Sequence, residues 1–442
     1  MKQKLSFSNR ILIGFTLFSL FFGAGNLIFP PFLGYEAGDH LWPAAAGFIL
    51  SAVLLPVLGV AAIASSGGLD KLAGRVHPKF SLVFTVLIYL SIGPCLAIPR
   101  TAGTSYEMAL LPFLGEYAGR GSQLVYTLLF FLAAAFFALR PEKLTDRLGK
   151  VTAPALLIMI ALLFAGCICW PVGQPGEPLN QYGKAPVLHG FLEGYQTMDT
   201  MAALNFGIVI ALNIRARGIK ADGAVVRETI FGGITAGAVL GGVYAVLAYM
   251  GNMAGREIEN GRNGVEILTW IASSLYGNTG LMLLGIIFFV ACLNVCIGLI
   301  SSCSQYFSRL CPAFSYRKWV VLFTVVSMVI ANAGLDQVLA FSVPVIETIY
   351  PVAIVLIVLA FLNRFLGGYA LVYPFCTGFT AAASLLQTFG KLFPDSFLAA
   401  AAAFLPGAQD GFGWVLPAAL AVWLGIVCSR ERSKKGPADK PA

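Results

Sequence analysis

The chain has 442 residues, of which 58% are hydrophobic and 11% charged, with a net charge of +8. A soluble domain carries about 25% charged residues, so this chain lacks the polar surface to coat a soluble particle, and the same shortage of charge excludes disorder. What remains is a polytopic membrane protein of all-α class, in which the basic surplus reflects topology rather than a nucleic-acid partner.

Apolar runs between charged punctuation predict twelve spans, at 9–37, 41–65, 79–105, 122–140, 151–171, 189–213, 225–251, 279–308, 318–333, 337–362, 370–391 and 412–428. Runs this long do not fit the alternating strands of a membrane barrel. The first run passes straight into a Gly/Pro motif without a cleavage site, so no signal peptide is expected. With the N-terminus assigned to the cytoplasm, 23 of the 29 Lys and Arg fall on inside segments and five on outside ones. That alternation predicts an even number of spans and both termini inside. The basic tail 430–442 is then cytoplasmic. The longest outside segment, 252–278, carries Val265, Leu268 and either Ile267 or Ile271 at helical spacing, which predicts an amphipathic helix. The nine cysteines have no metal-ligand spacing and read as apolar packing residues.

Span one contains Phe22-Gly23-Ala24-Gly25-Asn26-Leu27-Ile28-Phe29-Pro30-Pro31. Two glycines and an Asn weaken the helix, and the two prolines remove backbone donors. A helix broken in mid-membrane exposes carbonyls from its first half and N–H groups from its second. These are tolerated only where they are buried in protein or line a wet cavity, and they suit a cation and a carboxylate respectively. A plain kink remains the alternative reading of this segment taken alone. Span six carries a second polar cluster, Gly194-Tyr195-Gln196-Thr197-Met198-Asp199-Thr200. An Asp inside a membrane costs about 2.5–3.5 kcal/mol, so Asp199 either caps a broken helix or meets substrate or ion directly.

The two interruptions lie five spans apart. That pattern predicts an inverted repeat, with helices 1–5 at 9–171, helices 6–10 at 189–362, and helices 11–12 appended at 370–428. The Gly233, Gly237, Gly241 stripe in span seven reads as a helix-packing face. Arg100, near the outer end of span three, either gates the outer vestibule or snorkels to the interface. Glu193 and Glu347 are further gating or proton-linked candidates. No nucleotide-binding, metalloprotease or hydrolase motif is present, so neither an enzyme nor a cofactor is expected.

The 22–31 run resembles the signature of the branched-chain amino acid transport system II carriers (BrnQ, the LIVCS family). Gly93-Pro94 with Pro99-Arg100-Thr101, Gly194-Tyr195 with Thr197-Met198-Asp199-Thr200, Phe206-Gly207-Ile208-Val209, Ala291-Cys292-Leu293 with Gly298-Leu299, and Ser342-Val343-Pro344-Val345 with Ile349-Tyr350-Pro351 match it too. These matches run in order from span one to span ten. The resemblance implies a LeuT-like fold of the amino acid–polyamine–organocation superfamily. It also implies sodium-coupled import of leucine, isoleucine and valine across a bacterial plasma membrane by alternating access. Gly23, Ala24, Gly25 and Asn26 would then meet the substrate carboxylate, with Thr197, Met198 and Asp199 at the matching break and Asp199 facing the ammonium. Sodium would lie between the Phe22 carbonyl and oxygens of span eight. There the chain has Asn294 and Val295 where the family tends to carry hydroxyls; Ser301 and Ser302 follow two turns on. No obligatory protein partner is implied. A proton-coupled permease for another small neutral amino acid, with Glu347 as proton carrier, is the alternative.

Overall fold

The computed structural model describes residues 4–140, 148–258, 261 and 263–434. Among these, every regular element is helical. They fall into two compact units: one of Met1–Ala64 with Tyr89–Ser342, the other of Ser65–Ile88 with Val343–Ala442.

In the first unit the chain opens with helix Phe7–Phe21, whose start is capped by the Ser6 hydroxyl accepting from the Asn9 N–H at 3.4 Å. Phe22 and Gly23 are extended, and a second helix runs Ala24–Ala37. Gly38, at φ +49°, turns the chain, which continues as Leu41–Ile49 and, after a wide turn, as Leu55–Ser66. Helix Ala97–Ala109 follows a kink at Gly93 and Pro94. Arg120–Ala138 and Ala153–Cys169 come next. Then Pro186–Glu193, a single tight turn Gly194–Thr197, and Asp199–Ala216 form one bent pair. Asp222–Asn252, Gly264–Leu310, Tyr316–Ala331 and the start of Leu335–Leu366 complete the unit.

Small residues let these helices touch backbone to backbone. A Cβ on Gly34 would lie 1.8 Å from the Ala248 carbonyl oxygen, and one on Gly251 would lie 1.9 Å from that of Pro31. Helices Ala24–Ala37 and Asp222–Asn252 are therefore locked together at both contacts. The predicted stripe also packs as read: Gly233 and Gly237 face Val57, and Gly241 faces Ile49. The expected amphipathic helix exists as the first part of Gly264–Leu310, bent at Gly277 with φ +55°. It buries Ile267, Leu268 and Ile271, whereas Val265 is only half-buried.

The second unit is built on the later part of Leu335–Leu366, on Val372–Leu392 and on Val415–Lys434. Val372–Leu392 buries a polar face that includes Thr377, Thr380 and Ser384. Thr377 and Thr380 return their hydroxyls to carbonyls one turn back, at 2.7 Å each, so these polar groups do not break the helix.

The apolar surface lies outside. Helix Arg120–Ala138 exposes Leu124, Val125, Leu128, Leu129, Leu132 and Phe136 while burying Phe130, Phe131 and Ala134. An exposed face this apolar requires a lipid solvent. Among the described residues, seven helical stretches are long and apolar enough to cross a membrane, or eight if the bent pair is one span. These are fewer than the twelve spans read from the sequence, and the reasons are local. Phe7–Phe21 stops at the break with 15 residues. Residues 24–66 count as one stretch of 43. Val372–Leu392 carries its polar face. The cysteine reading also needs correction, because Cys169 and Cys311 are exposed rather than packed.

Candidate functional site

The first break follows from two residues. Gly23 is extended at φ −133°, ψ −154°, and its N–H donates to the Asn26 Oδ1 at 2.9 Å. Asn26 thus caps the start of its own helix from the third position. The N–H groups of Ala24, Gly25 and Asn26 have no partner one turn back, as at any helix start, and this end of the helix carries partial positive charge. The prolines do not make the break. Pro30 and Pro31 lie inside helix Ala24–Ala37, and what breaks the chain is the glycine eight residues before Pro31.

The second break is longer. Gly194–Thr197 is a tight turn, and Met198 is left-handed at φ +65°, ψ +8°. A non-glycine residue there is uncommon and strained. Asp199 begins the next helix, so its carboxylate meets a positive helix end.

Side chains tie the two breaks together. Asn26 Nδ2 donates to Asp199 Oδ2 and to the Tyr244 hydroxyl, both at 2.5 Å. The Tyr244 hydroxyl donates in turn to Asp199 Oδ2 at 2.9 Å. All three residues are buried. Arg100 comes from a third helix. Its Nη1 donates to the Gln196 carbonyl at 2.8 Å and its Nη2 to the Thr197 carbonyl at 3.4 Å. Its guanidinium lies 5.8 Å from the centre of the Phe29 ring. A Cβ on Gly25 would lie 2.8 Å from Arg100 Nη2 and 3.2 Å from the Thr197 Cα. Position 25 is glycine because the second break and the guanidinium press against it.

These residues line one cavity. Gly23, Ala24, Gly25, Asn26, Thr197, Met198 and Asp199 all face it, joined by Arg100 and Thr101. Its apolar walls come from Leu20, Phe21, Ile92, Ala97, Ala202, Val295 and Leu299. The seven residues read from the sequence as the substrate site therefore converge. Arg100, at 4% exposure, is enclosed by protein. The kink at Gly93 and Pro94 restarts its helix at Ala97, which puts Arg100 in the first turn facing the second break.

The ion candidates are more dispersed. Helix Gly264–Leu310 meets the first break at Val295, whose Cγ2 would lie 2.8 Å from a Cβ on Gly23. Phe22 is fully buried against Phe18, their rings stacked at 5.0 Å. Asn294 and Ser301 are buried, and Asn294 Nδ2 and Ser301 Oγ find no hydrogen-bond partner among the described residues. Ser302 Oγ accepts from Asn205 Nδ2 at 2.8 Å and donates to the Leu299 carbonyl at 3.2 Å. Glu193 is half-buried and does not line the cavity. Glu347, in the second unit, pairs with Lys391 at 2.8 Å with both side chains partly exposed.

Two buried residues escaped the sequence reading. Tyr244 looked like one more apolar residue of span seven. Glu228, fully buried, sat near a cytoplasmic loop. It is held by Arg10 through Nε and Nη2 at 2.6 Å each, with Arg227 3.5 Å away.

A family model described as branched-chain amino acid transport protein matches residues 6–432. The chain is 42% identical over 435 residues to the branched-chain amino acid permease BraB of Bacillus subtilis, with 97% of each chain covered. It is 39% identical over 425 residues to the branched-chain amino acid transport system 2 carrier protein of Pseudomonas aeruginosa, covering 96% of this chain and 97% of that one. Among solved structures it is similar to Mhp1, a nucleobase-cation-symport-1 family transporter in a closed conformation with bromovinylhydantoin bound. That likeness has a TM-score of 0.60 at 13% identity over 98% of this chain and 94% of that one. At such low identity it speaks for the fold alone: the chain has the helical fold of that transporter.

Proposed function

The chain belongs to the branched-chain amino acid transport protein family, a family of transporters and not of enzymes, and from that premise we propose that it imports leucine, isoleucine and valine together with sodium. The observation that carries this reading is the single cavity in which both helix breaks, a buried Asp and an apolar wall meet. Backbone N–H groups at the start of Ala24–Ala37 suit a carboxylate. Asp199 suits an ammonium. Leu20, Ile92, Ala97, Val295 and Leu299 suit an aliphatic side chain. An apolar wall separates neighbours differing by one methylene by only about 1–3 kcal/mol, so all three substrates should be accepted. Charged amino acids would leave a side-chain charge unpaired in the same wall.

Transport would proceed by alternating access around this cavity. The substrate is a net-neutral zwitterion and gains nothing from the membrane potential. One co-transported cation gains about 2.3 kcal/mol per 100 mV. Phe22, Asn294, Ser301 and Ser302 are the candidate sodium ligands, with sodium carried as cargo. The arrangement extends to twelve spans in a five-plus-five inverted repeat, with both termini on the cytoplasmic side of a bacterial plasma membrane.

The test is leucine uptake into proteoliposomes under an imposed sodium gradient and then an imposed proton gradient. Sodium-driven accumulation is expected. Accumulation driven by protons alone removes the sodium coupling, and no uptake of any branched-chain amino acid under either gradient removes the function.

A further inference from the structure

Arg100 and Asp199 line the same cavity and are both buried, at 4% and 2% exposure. Yet no ion pair joins them among the described residues, whose ion pairs lie elsewhere. Each is anchored by neutral groups instead. Arg100 is held by the Gln196 and Thr197 carbonyls, and Asp199 by Asn26 and Tyr244. The two desolvated charges attract one another without a direct ion pair, a costly arrangement that a ligand carrying both opposite charges would relieve. The geometry points to a zwitterion receptor in which Arg100 is the partner of the substrate carboxylate, opposite Asp199. This assignment rests on the amino-acid reading of the site and names a specificity residue within it.

Three features support it. A guanidinium has five N–H donors, and Arg100 spends two of them on carbonyls, which leaves others for a ligand. Its Nη2 lies 2.8 Å from where a Gly25 Cβ would be, beside the unpaired N–H groups that begin helix Ala24–Ala37. A carboxylate in the cavity that both the helix start and Arg100 line would accept from backbone and guanidinium together, the fork geometry that Arg favours over Lys. The bonds from Asn26 and Tyr244 to Asp199 both fall on Oδ2, so Oδ1 takes no part in that bridge between the breaks.

The experiment measures equilibrium binding of leucine, leucinamide and 4-methylpentanoate to the purified full-length protein. Leucinamide lacks the carboxylate and 4-methylpentanoate lacks the ammonium. Wild-type protein is expected to bind leucine about 100-fold tighter than leucinamide. Arg100→Gln should weaken leucine by about that factor beyond any loss it causes for leucinamide, so the discrimination collapses. Asp199→Asn should instead lose discrimination against 4-methylpentanoate. Equal weakening of leucine and leucinamide in Arg100→Gln would mean that Arg100 only braces the second break, and would overturn the assignment. Should that variant fail to fold, the wild type alone decides: leucinamide binding as tight as leucine overturns it. If another neutral amino acid binds in place of leucine, the function reading fails while the same comparison, run on that amino acid and its amide, still tests Arg100. If wild-type protein binds no neutral α-amino acid, both fall.

Discussion

The two breaks that meet at the cavity solve one problem in different ways. The first takes two extended residues, Phe22 and Gly23, and is stabilised from within its own chain segment by Asn26. What it offers is backbone: a row of N–H groups behind glycines small enough to be approached. The second takes a full tight turn and a left-handed methionine, and it is stabilised from outside, by Arg100 on its carbonyls. What it offers is charge, Asp199 and the guanidinium that holds it open. A backbone site tolerates little bulk, whereas a charged site tolerates little change of chemistry. Substitutions should therefore fail differently at the two breaks.

The largest effect is expected at the second break. Asp199→Ala removes a buried charge and strips the shared partner from Asn26 and Tyr244. Leaving buried hydrogen-bond partners unsatisfied costs about 1–3 kcal/mol each, which together with the lost ammonium partner is enough to abolish leucine uptake in proteoliposomes at equal protein content. Uptake within tenfold of wild type would mean that the charge lies outside the binding chemistry.

The first break should fail by size. Gly25→Ala puts a methyl 2.8 Å from the Arg100 guanidinium and 3.2 Å from the Thr197 backbone. The guanidinium end can shift, so folding should survive while leucine affinity falls by about tenfold or more. Gly251→Ala is the contrast, since its methyl would lie 1.9 Å from the Pro31 carbonyl oxygen. Backbone cannot yield as a side-chain tip can, and overpacking costs about 1–3 kcal/mol or more. A thermal melt should show a clear loss for Gly251→Ala and a small one for Gly25→Ala. The reverse order would undo the distinction between a ligand-facing and a packing glycine.

Tyr244→Phe sharpens the comparison further. It keeps the ring and deletes one hydroxyl that bridges Asn26 at the first break to Asp199 at the second. Leaving a buried partner unsatisfied costs about 1–3 kcal/mol, so leucine affinity should fall by about 10- to 100-fold. A change of less than twofold would show that the breaks are coupled without it.

How much of this was legible follows the same division. The first break could be read because its cause is local: Gly23, Gly25 and Asn26 stand together in a run otherwise apolar. Asp199 could be read because a carboxylate in a span is conspicuous anywhere. Their third partner could not. Tyr244 lies 45 residues from Asp199 and 218 from Asn26, and in its own span it resembles an ordinary core aromatic. Arg100 was visible as a charge, but its direction depended on a kink whose angle no spacing encodes. Glu228 hid for a similar reason, since its burial depends on Arg10, 218 residues earlier.

The smallest effect is expected at the acid that looked most like Asp199 in the sequence. Glu347 also lies within a predicted span, flanked by Pro344 and Pro351, yet both prolines are accommodated inside the continuous helix Leu335–Leu366. No break exposes backbone there for a ligand to use. Its carboxylate meets Lys391 at 2.8 Å, with side-chain exposures of 31% and 55%. Solvent-screened pairs of this kind contribute about 0–1 kcal/mol. Lys391→Ala should therefore move the thermal midpoint by no more than a degree or two. A shift comparable to that of Gly251→Ala would show that the pair is shielded from water, and would restore Glu347 as an acid that needs its partner as Asp199 does.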